Sequence, residues 1–315
     1  MDKKLAVVAI GGNSLITDKK HVSVDSQYKA AAETCKHIVD LIDEGYNVVV
    51  THGNGPQVGF ILRRAELAKK ELHMVPLDSC GADTQGAIGY QIQKALYNTY
   101  LLRGREPHPS ATVVTQCVVD KEDPSFANPT KPIGSFMDKE TALAHQAKDG
   151  WNVVEDAGRG WRRVVASPMP SRIVEYDSIK ILVDAGVTVI AVGGGGIPVV
   201  ERDGELWGAD AVIDKDFASC LLAKQLNADL FIISTAVDKA YKNFGKDNQE
   251  PIDQITVSEA EKCLEEGHFA KGSMLPKIKA CIDFAKSSGN KALITSPEKL
   301  AMAVKGQTGT YIVPD

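Results

Sequence analysis

Three lysines stand where the chain can aim them. Lys215 lies between Asp214 and Asp216, just ahead of an apolar helical stretch. A lysine there reaches an anion at the helix N-terminus, where the backbone dipole also favours negative charge. The flanking aspartates would position it or hold a metal through water. Lys277 repeats the arrangement in Met274-Leu275-Pro276-Lys277, with proline in a first helical turn that tolerates it. Lys131 falls between two prolines in Asn128-Pro129-Thr130-Lys131-Pro132, and their rings fix the direction in which it is presented. Taken singly, Lys215 reads equally as part of a solvated charge run and Lys277 as a surface lysine.

Glycine loops offer the matching anion cradles. Gly11-Gly12-Asn13 follows a short apolar run, and Gly53-Asn54-Gly55-Pro56-Gln57 follows a second one. Glycine lets successive backbone N–H groups approach a phosphate or carboxylate. One such loop is as well explained by a tight turn; two at neighbouring strand ends point to an anion site. Gly193 to Gly196 form a third bare stretch of backbone, suited to phosphate contact, to packing against a facing loop, or to a hinge. Glu155-Asp156-Ala157-Gly158-Arg159-Gly160-Trp161-Arg162 reads as a packed ion-pair corner, with anion binding as the second reading.

Other chemistries lack their residues. Neither loop has the G-x-x-x-x-G-K-[ST] spacing, and Gly53-Asn54-Gly55 lacks the third glycine of a dinucleotide fingerprint. No histidine falls in a Ser/His/Asp or zinc-ligand pattern, so His52, beside the second loop, is read as structural. The formal net charge of -5 argues against non-specific nucleic-acid binding. Cys35, Cys80, Cys117, Cys220, Cys263 and Cys281 show no C-x-x-C spacing and read as reduced, buried thiols. The apolar run after Leu5 is too short for a signal h-region or a membrane span, so a cytoplasmic enzyme is expected.

The elements that must position these residues alternate. Strands are expected at Leu5–Ile10, Tyr46–Thr51, Ala111–Val119, Val187–Val192, Leu230–Ser234 and Lys291–Thr295. Helices are expected between them, including Thr84–Leu102, Ile173–Ala185, Phe217–Leu226, one opened by a capping box at Ser258-Glu259-Ala260-Glu261, and one from Pro276 to Gly289. This pattern predicts an α/β fold, a three-layer αβα sandwich with a mostly parallel central sheet. It divides near Asp184 into a half spanning 1–184 and a half spanning 185–315. The alternation breaks at about 121–170, where Trp151, Val153, Val154, Trp161, Val164 and Val165 indicate an inserted, protruding subdomain rather than a flexible linker.

Taken together, Ala9-Ile10-Gly11-Gly12-Asn13, His52 to Gly59, Gln85 to Tyr90, Asn128 to Gly134, Glu155 to Arg162, Gly193 to Pro198, Ala211 to Asp216 and Gly267 to Lys277 occur in the order and spacing of one family. Over essentially its whole length the chain resembles the carbamate kinases of the amino-acid kinase superfamily. The wider superfamily usually has a lysine where this chain has Ala9; carbamate kinases use the lysine of the inserted lobe, here Lys131. Many relatives also carry an aspartate at the position of Ala236.

The resemblance implies carbamate or carbamoyl phosphate at Gly11, Gly12, Asn13, Gly53, Asn54 and Gly55, with the lobe closing over it. It implies ATP or ADP on the second half, at Gly194, Gly195, Val237, Tyr241, Met274 and Lys277. Lys131, Lys215 and Lys277 would act on the phosphates, Asp214 would organise the lysines, and Mg²⁺ would be held mainly through the nucleotide. It also implies a homodimer, and ATP synthesis in arginine catabolism as the usual role. The rivals are a kinase of the same fold acting on an amino-acid carboxylate, against which Ala9 and the lobe argue, and a non-catalytic ligand-binding protein, against which the retained lysines argue.

Overall fold

The computed structural model describes residues 3–12, 15–16, 20–156, 160–270 and 273–315, the side chain of Ser135 apart. Its main sheet contains β1 (Lys4–Ile10), β2 (Tyr46–His52), β3 (Ser110–Thr112), β4 (Thr188–Ile190), β5 (Leu230–Ser234), β6 (Gln254–Thr256), β7 (Lys291–Thr295) and β8 (Thr310–Val313). They lie in the order β6-β8-β7-β5-β1-β2-β4-β3. Every neighbouring pair is parallel except β7–β8.

Side-chain alternation along β1 sets the layers. Ala6, Val8 and Ile10 pack with α1 (Val24–Asp43) and α3 (Leu77–Leu102), while α2 (Gly55–Ala68) leads from the second glycine loop. Val7 and Ala9 face the opposite way, into the core built with α4 (Lys215–Gln225) and α5 (Met274–Ser288). Burial on both faces explains why the inner strands are continuous apolar runs rather than alternating ones. The three-layer αβα architecture is therefore as expected. Among the described residues no helix is long and apolar enough to cross a membrane.

Two smaller sheets complete the scaffold. Glu205–Gly208, Ile197–Arg202, Gln116–Val119 and Pro170–Ile173 form a mixed four-stranded sheet. Lys131–Met137, Trp161–Val165 and Asn152–Glu155 form an antiparallel sheet carrying the helix Lys139–Asp149, which Gly150 ends at φ 70°. This sheet returns to the body at Gly59, where an added Cβ would lie 3.5 Å from Gly134 Cα.

Three expectations are corrected. The single strand Ala111–Val119 is two strands in different sheets, because Gln85 grips the intervening Thr115 backbone: Thr115 N donates to Gln85 Oε1 (2.7 Å), and Gln85 Nε2 donates to Thr115 O (3.0 Å). The helix expected from Ile173 begins at Tyr176, since Ile173 is paired with Cys117. The capping box lies two residues earlier, with Thr256 and Glu259 exchanging bonds at the start of the helix Val257–Glu265. The strand just past Asp184, β4, sits between β2 and β3.

Candidate functional site

Register decides where the loops open. Ile10 is paired with both His52 and Ser234, and Ser234 with Thr295, so four strands end level. Gly11-Gly12, Gly53 to Gly55, Thr235-Ala236 and Pro297-Glu298 consequently share one edge of the sheet, at strand C-terminal ends. They line a cleft of about 1450 Å³, together with Lys131, Gly134, Gly194, Asp214, Lys215, Asp216 and Lys277.

The lysines converge there through two carboxylates. Asp214 is the N-cap of α4, its side chain accepting from Asp216 N at 2.9 Å, and it also takes Lys131 Nζ at 2.7 Å. Lys131 thus crosses from the antiparallel sheet to the body. Asp216 lies one turn-step further in, with its side chain 3% exposed. One of its oxygens accepts from Lys215 Nζ (2.7 Å) and the other from Lys277 Nζ (2.9 Å). Each of those lysines is 14% exposed. The organiser of Lys215 and Lys277 is therefore Asp216, and the expectation that Asp214 would do this is corrected. Position on the helix is the reason: the N-cap side chain folds back over its own first turn, whereas Asp216, two residues on, faces α5.

Electrostatics follow from burial. Burial pushes Lys215 below the usual lysine value; Asp216 opposes the shift and Lys277 adds to it. Burial alone would raise Asp216, yet Lys215 and Lys277 together hold its carboxyl down at about 2. Burial brings His52 down to about 4, against a raising bond to the Gly53 carbonyl and with Lys215 lowering it further. His52 is thus neutral in this fold, its Nδ1 3.0 Å from Gly53 O, in keeping with its structural reading.

The loops are fixed by close approach. Gly53 N donates to Ile10 O (3.2 Å), and a Cβ at Gly53 would lie 3.6 Å from both Gly12 N and Lys215 Cδ, so the bare loop lets the lysine stem lie beside the first loop. Gly194 has φ +68°, and a Cβ there would come within 2.0 Å of Asn54 Nδ2, which itself donates to Thr84 Oγ1 (2.9 Å). Gln85 Nε2 also donates to Gly193 O (3.0 Å), and Val192 N to Thr115 Oγ1 (3.0 Å). The four-glycine stretch is consequently a clamped, buried turn and not a hinge. Gly195 is packed against Ile213 O rather than opening on the cleft.

Other candidate residues fall apart from this cluster. Met274, at the first turn of α5, packs against the core; Tyr241 stands on the strand Ala240–Lys242, its ring 5.8 Å from Phe244; neither lines the cleft, nor does Val237. Asn13 lies outside the described residues. Arg162 was placed first as a corner residue, and it does sit 3.8 Å from Asp156, but it also lines the cleft and donates to Gly134 O (3.1 Å). Gln85 opens a motif without an assigned task, and Thr84 stands just before it; their place on the buried face of α3 was the available signal.

The profile of the amino acid kinase family matches residues 4–296. The carbamate kinase-like protein YqeA of Escherichia coli (strain K12) is 52% identical, covering 99% of each chain. The carbamate kinase of Thermococcus kodakarensis is 47% identical over 98% of this chain and 99% of its own. Among solved structures, the carbamate kinase from Giardia lamblia bound to AMP-PNP superposes with a TM-score of 0.93 at 42% identity, covering 99% of both chains. An αβα sheet whose level strand ends carry glycine loops beneath three carboxylate-held lysines, matched in sequence and structure across nearly its full length, places this chain in the amino acid kinase family, on its carbamate kinase branch.

Proposed function

We propose that the protein catalyses reversible phosphoryl transfer between ATP and carbamate, giving ADP and carbamoyl phosphate. The observation that carries this reading is the convergence of Lys131, Lys215 and Lys277 on one cleft floored by two glycine loops. Carbamate already bears an anionic oxygen, so it attacks the γ-phosphorus without a general base. A bond forms from that oxygen to phosphorus, the bond to the bridging oxygen breaks, and ADP leaves. The protein's part is positioning two anions in line and balancing charge on the moving group. In this reading Gly11, Gly12 and Gly53 to Gly55 hold the carbamate end, Gly194 and Lys277 the nucleotide phosphates, and Lys131 and Lys215 flank the transferred group.

Asp214 and Asp216 are both engaged by lysines, a donor set that suits Mg²⁺ carried on the nucleotide phosphates, with Asp214, the more exposed of the two, approaching through water. Such an ion would screen the phosphate charge. A homodimer belongs to the same proposal, with exposed Tyr90, Tyr97 and Leu101 supplying apolar surface along α3. So does a cytoplasmic setting, which suits six free, buried cysteines. The physiological direction we assign is ATP synthesis in arginine catabolism.

Two relatives, YqeA and YahI, are named only as carbamate kinase-like. They favour a second reading in which the same cleft phosphorylates another small carboxylate. One assay separates the readings: ATP formation from ADP and carbamoyl phosphate, run beside acetylglutamate and glutamate as acceptors from ATP. Robust ATP formation from carbamoyl phosphate alone is expected; turnover of another acceptor without it would overturn the proposal.

A further inference from the structure

The helix Val257–Glu265 ends in a way that assembles three metal-binding groups outside the cleft. Gly267, at φ +75°, turns the chain back, with Gly267 N donating to Leu264 O (3.1 Å) and His268 N to Cys263 O (3.1 Å). These are the two bonds of a Schellman cap, which brings the residue two past the cap over the last turn. That meeting is ordinarily a contact between two apolar side chains. Here the pair is Cys263 and His268, with Glu266 at the cap position between them. Cys263 Sγ, a Glu266 carboxylate oxygen and a ring nitrogen of His268 all lie within 4.8 Å of one another.

Two independent features favour a cation at this place. Glu265 and Glu266 sit at the negative end of the helix dipole, the reverse of the usual preference. Lys262 offsets them weakly, being 75% exposed and 3.9 Å from Glu266 Oε1. The histidine ring is also already oriented. Nδ1 is 3.0 Å from Asn243 Oδ1, while Nε2 is turned to Glu266 Oε2 at 2.9 Å. Asn243, at φ 52°, follows the strand Ala240–Lys242, and such outer partners are what fix a ligating imidazole.

We propose that Cys263, Glu266 and His268 bind one Zn²⁺, with water in the fourth position, as a site separate from the phosphoryl-transfer cleft. A mixed S, N, O donor set selects a borderline metal over Mg²⁺ or Ca²⁺. On binding, the Cys263 thiol gives its proton to solvent and His268 would ligate through Nε2; no electron is transferred. The ion would pin the Ala240–Asn243 segment to the helix end that precedes α5.

Co²⁺ titration of the full chain tests this without an activity readout. The expected result is one equivalent bound, with a sulfur-to-cobalt charge-transfer band in the near ultraviolet and the intense visible bands of a tetrahedral site, both displaced by Zn²⁺. Cys263→Ser abolishes the charge-transfer band and Cys220→Ser keeps it. Asn243→Ala, which leaves all three ligands in place, weakens Co²⁺ binding about 10–100-fold. Absence of the band in the unaltered chain, or its persistence in a folded Cys263→Ser variant, overturns the proposal.

Discussion

Replacing Asp216 by asparagine keeps the shape and removes the charge on which two lysines rest. Asp216 is 3% exposed and accepts from Lys215 at 2.7 Å and Lys277 at 2.9 Å. The amide can accept from one ammonium group, but it turns an NH₂ toward the other. At an effective dielectric of about 20, each unit-charge pair 4 Å apart is worth ~4 kcal/mol before desolvation is counted. Removing one partner of a buried pair costs about 3–5 kcal/mol net. At about 2 °C per kcal/mol for a chain of this size, Tm should fall by roughly 6–10 °C.

Lys215 is already held below its usual pKa by burial, with Asp216 opposing; without Asp216 it falls further. The kcat of Asp216→Asn should therefore decline as pH rises through a range in which the unaltered enzyme is steady. The acid side behaves oppositely. The carboxyl titrates at about 2 in the folded protein and near 3.9 when unfolded, so its contribution is complete above about pH 4 and is lost as pH falls toward 2. The Tm gap between the two proteins should close over that window. Thermal unfolding and carbamoyl-phosphate-dependent ATP formation, each followed against pH, measure both effects. A variant with unchanged Tm, kcat and pH profile would refute the argument.

Lys215→Ala should lower kcat about 10²–10³-fold, the scale of one preorganised charge donor, with circular dichroism unchanged. Near-normal turnover would reject its place beside the transferred group. Lys131→Ala should reduce kcat/KM for carbamoyl phosphate more than for ADP, because Lys131 reaches the cleft from the antiparallel sheet; equal losses for the two substrates would count against that. Gly194→Ala puts a side chain at φ +68° and 2.0 Å from Asn54 Nδ2, and should cost about 1–3 kcal/mol in urea unfolding while raising KM for ADP, whose phosphates Gly194 meets, and for carbamoyl phosphate, whose loop Asn54 belongs to.

The site was legible in the sequence where a residue type itself carries the signal. Glycine after an apolar run marks a strand end, so the Gly11 and Gly53 loops could be placed on one edge before any coordinates. Lys131, Lys215 and Lys277 were marked by prolines or helix starts. What the sequence withheld was direction. Asp214 and Asp216 flank one lysine symmetrically in the chain, and only the helix register separates the cap from the buried partner of two lysines. Gln85 was silent for a similar reason: its amide holds Thr115 and Gly193, residues 30 and 108 positions away. Val237, Tyr241 and Met274 came from resemblance alone; Tyr241 packs near Phe244 and Met274 against the core, and none of the three lines the cleft. The inserted sheet announced itself through tryptophans and valines that a linker would not carry.

Lys131, Lys215 and Lys277 each already have a carboxylate companion in the cleft. An arriving phosphate must compete with that companion, so the gain on entry is the difference between two attractions and not the whole of one. Bare ammonium groups would retain whatever anion came first, inorganic phosphate or sulfate included. Partnered ones grip loosely at rest and can let go once the transfer is over. A catalyst that works in both directions needs that release as much as it needs capture, and the buried carboxylate under Lys215 and Lys277 is where the balance is set.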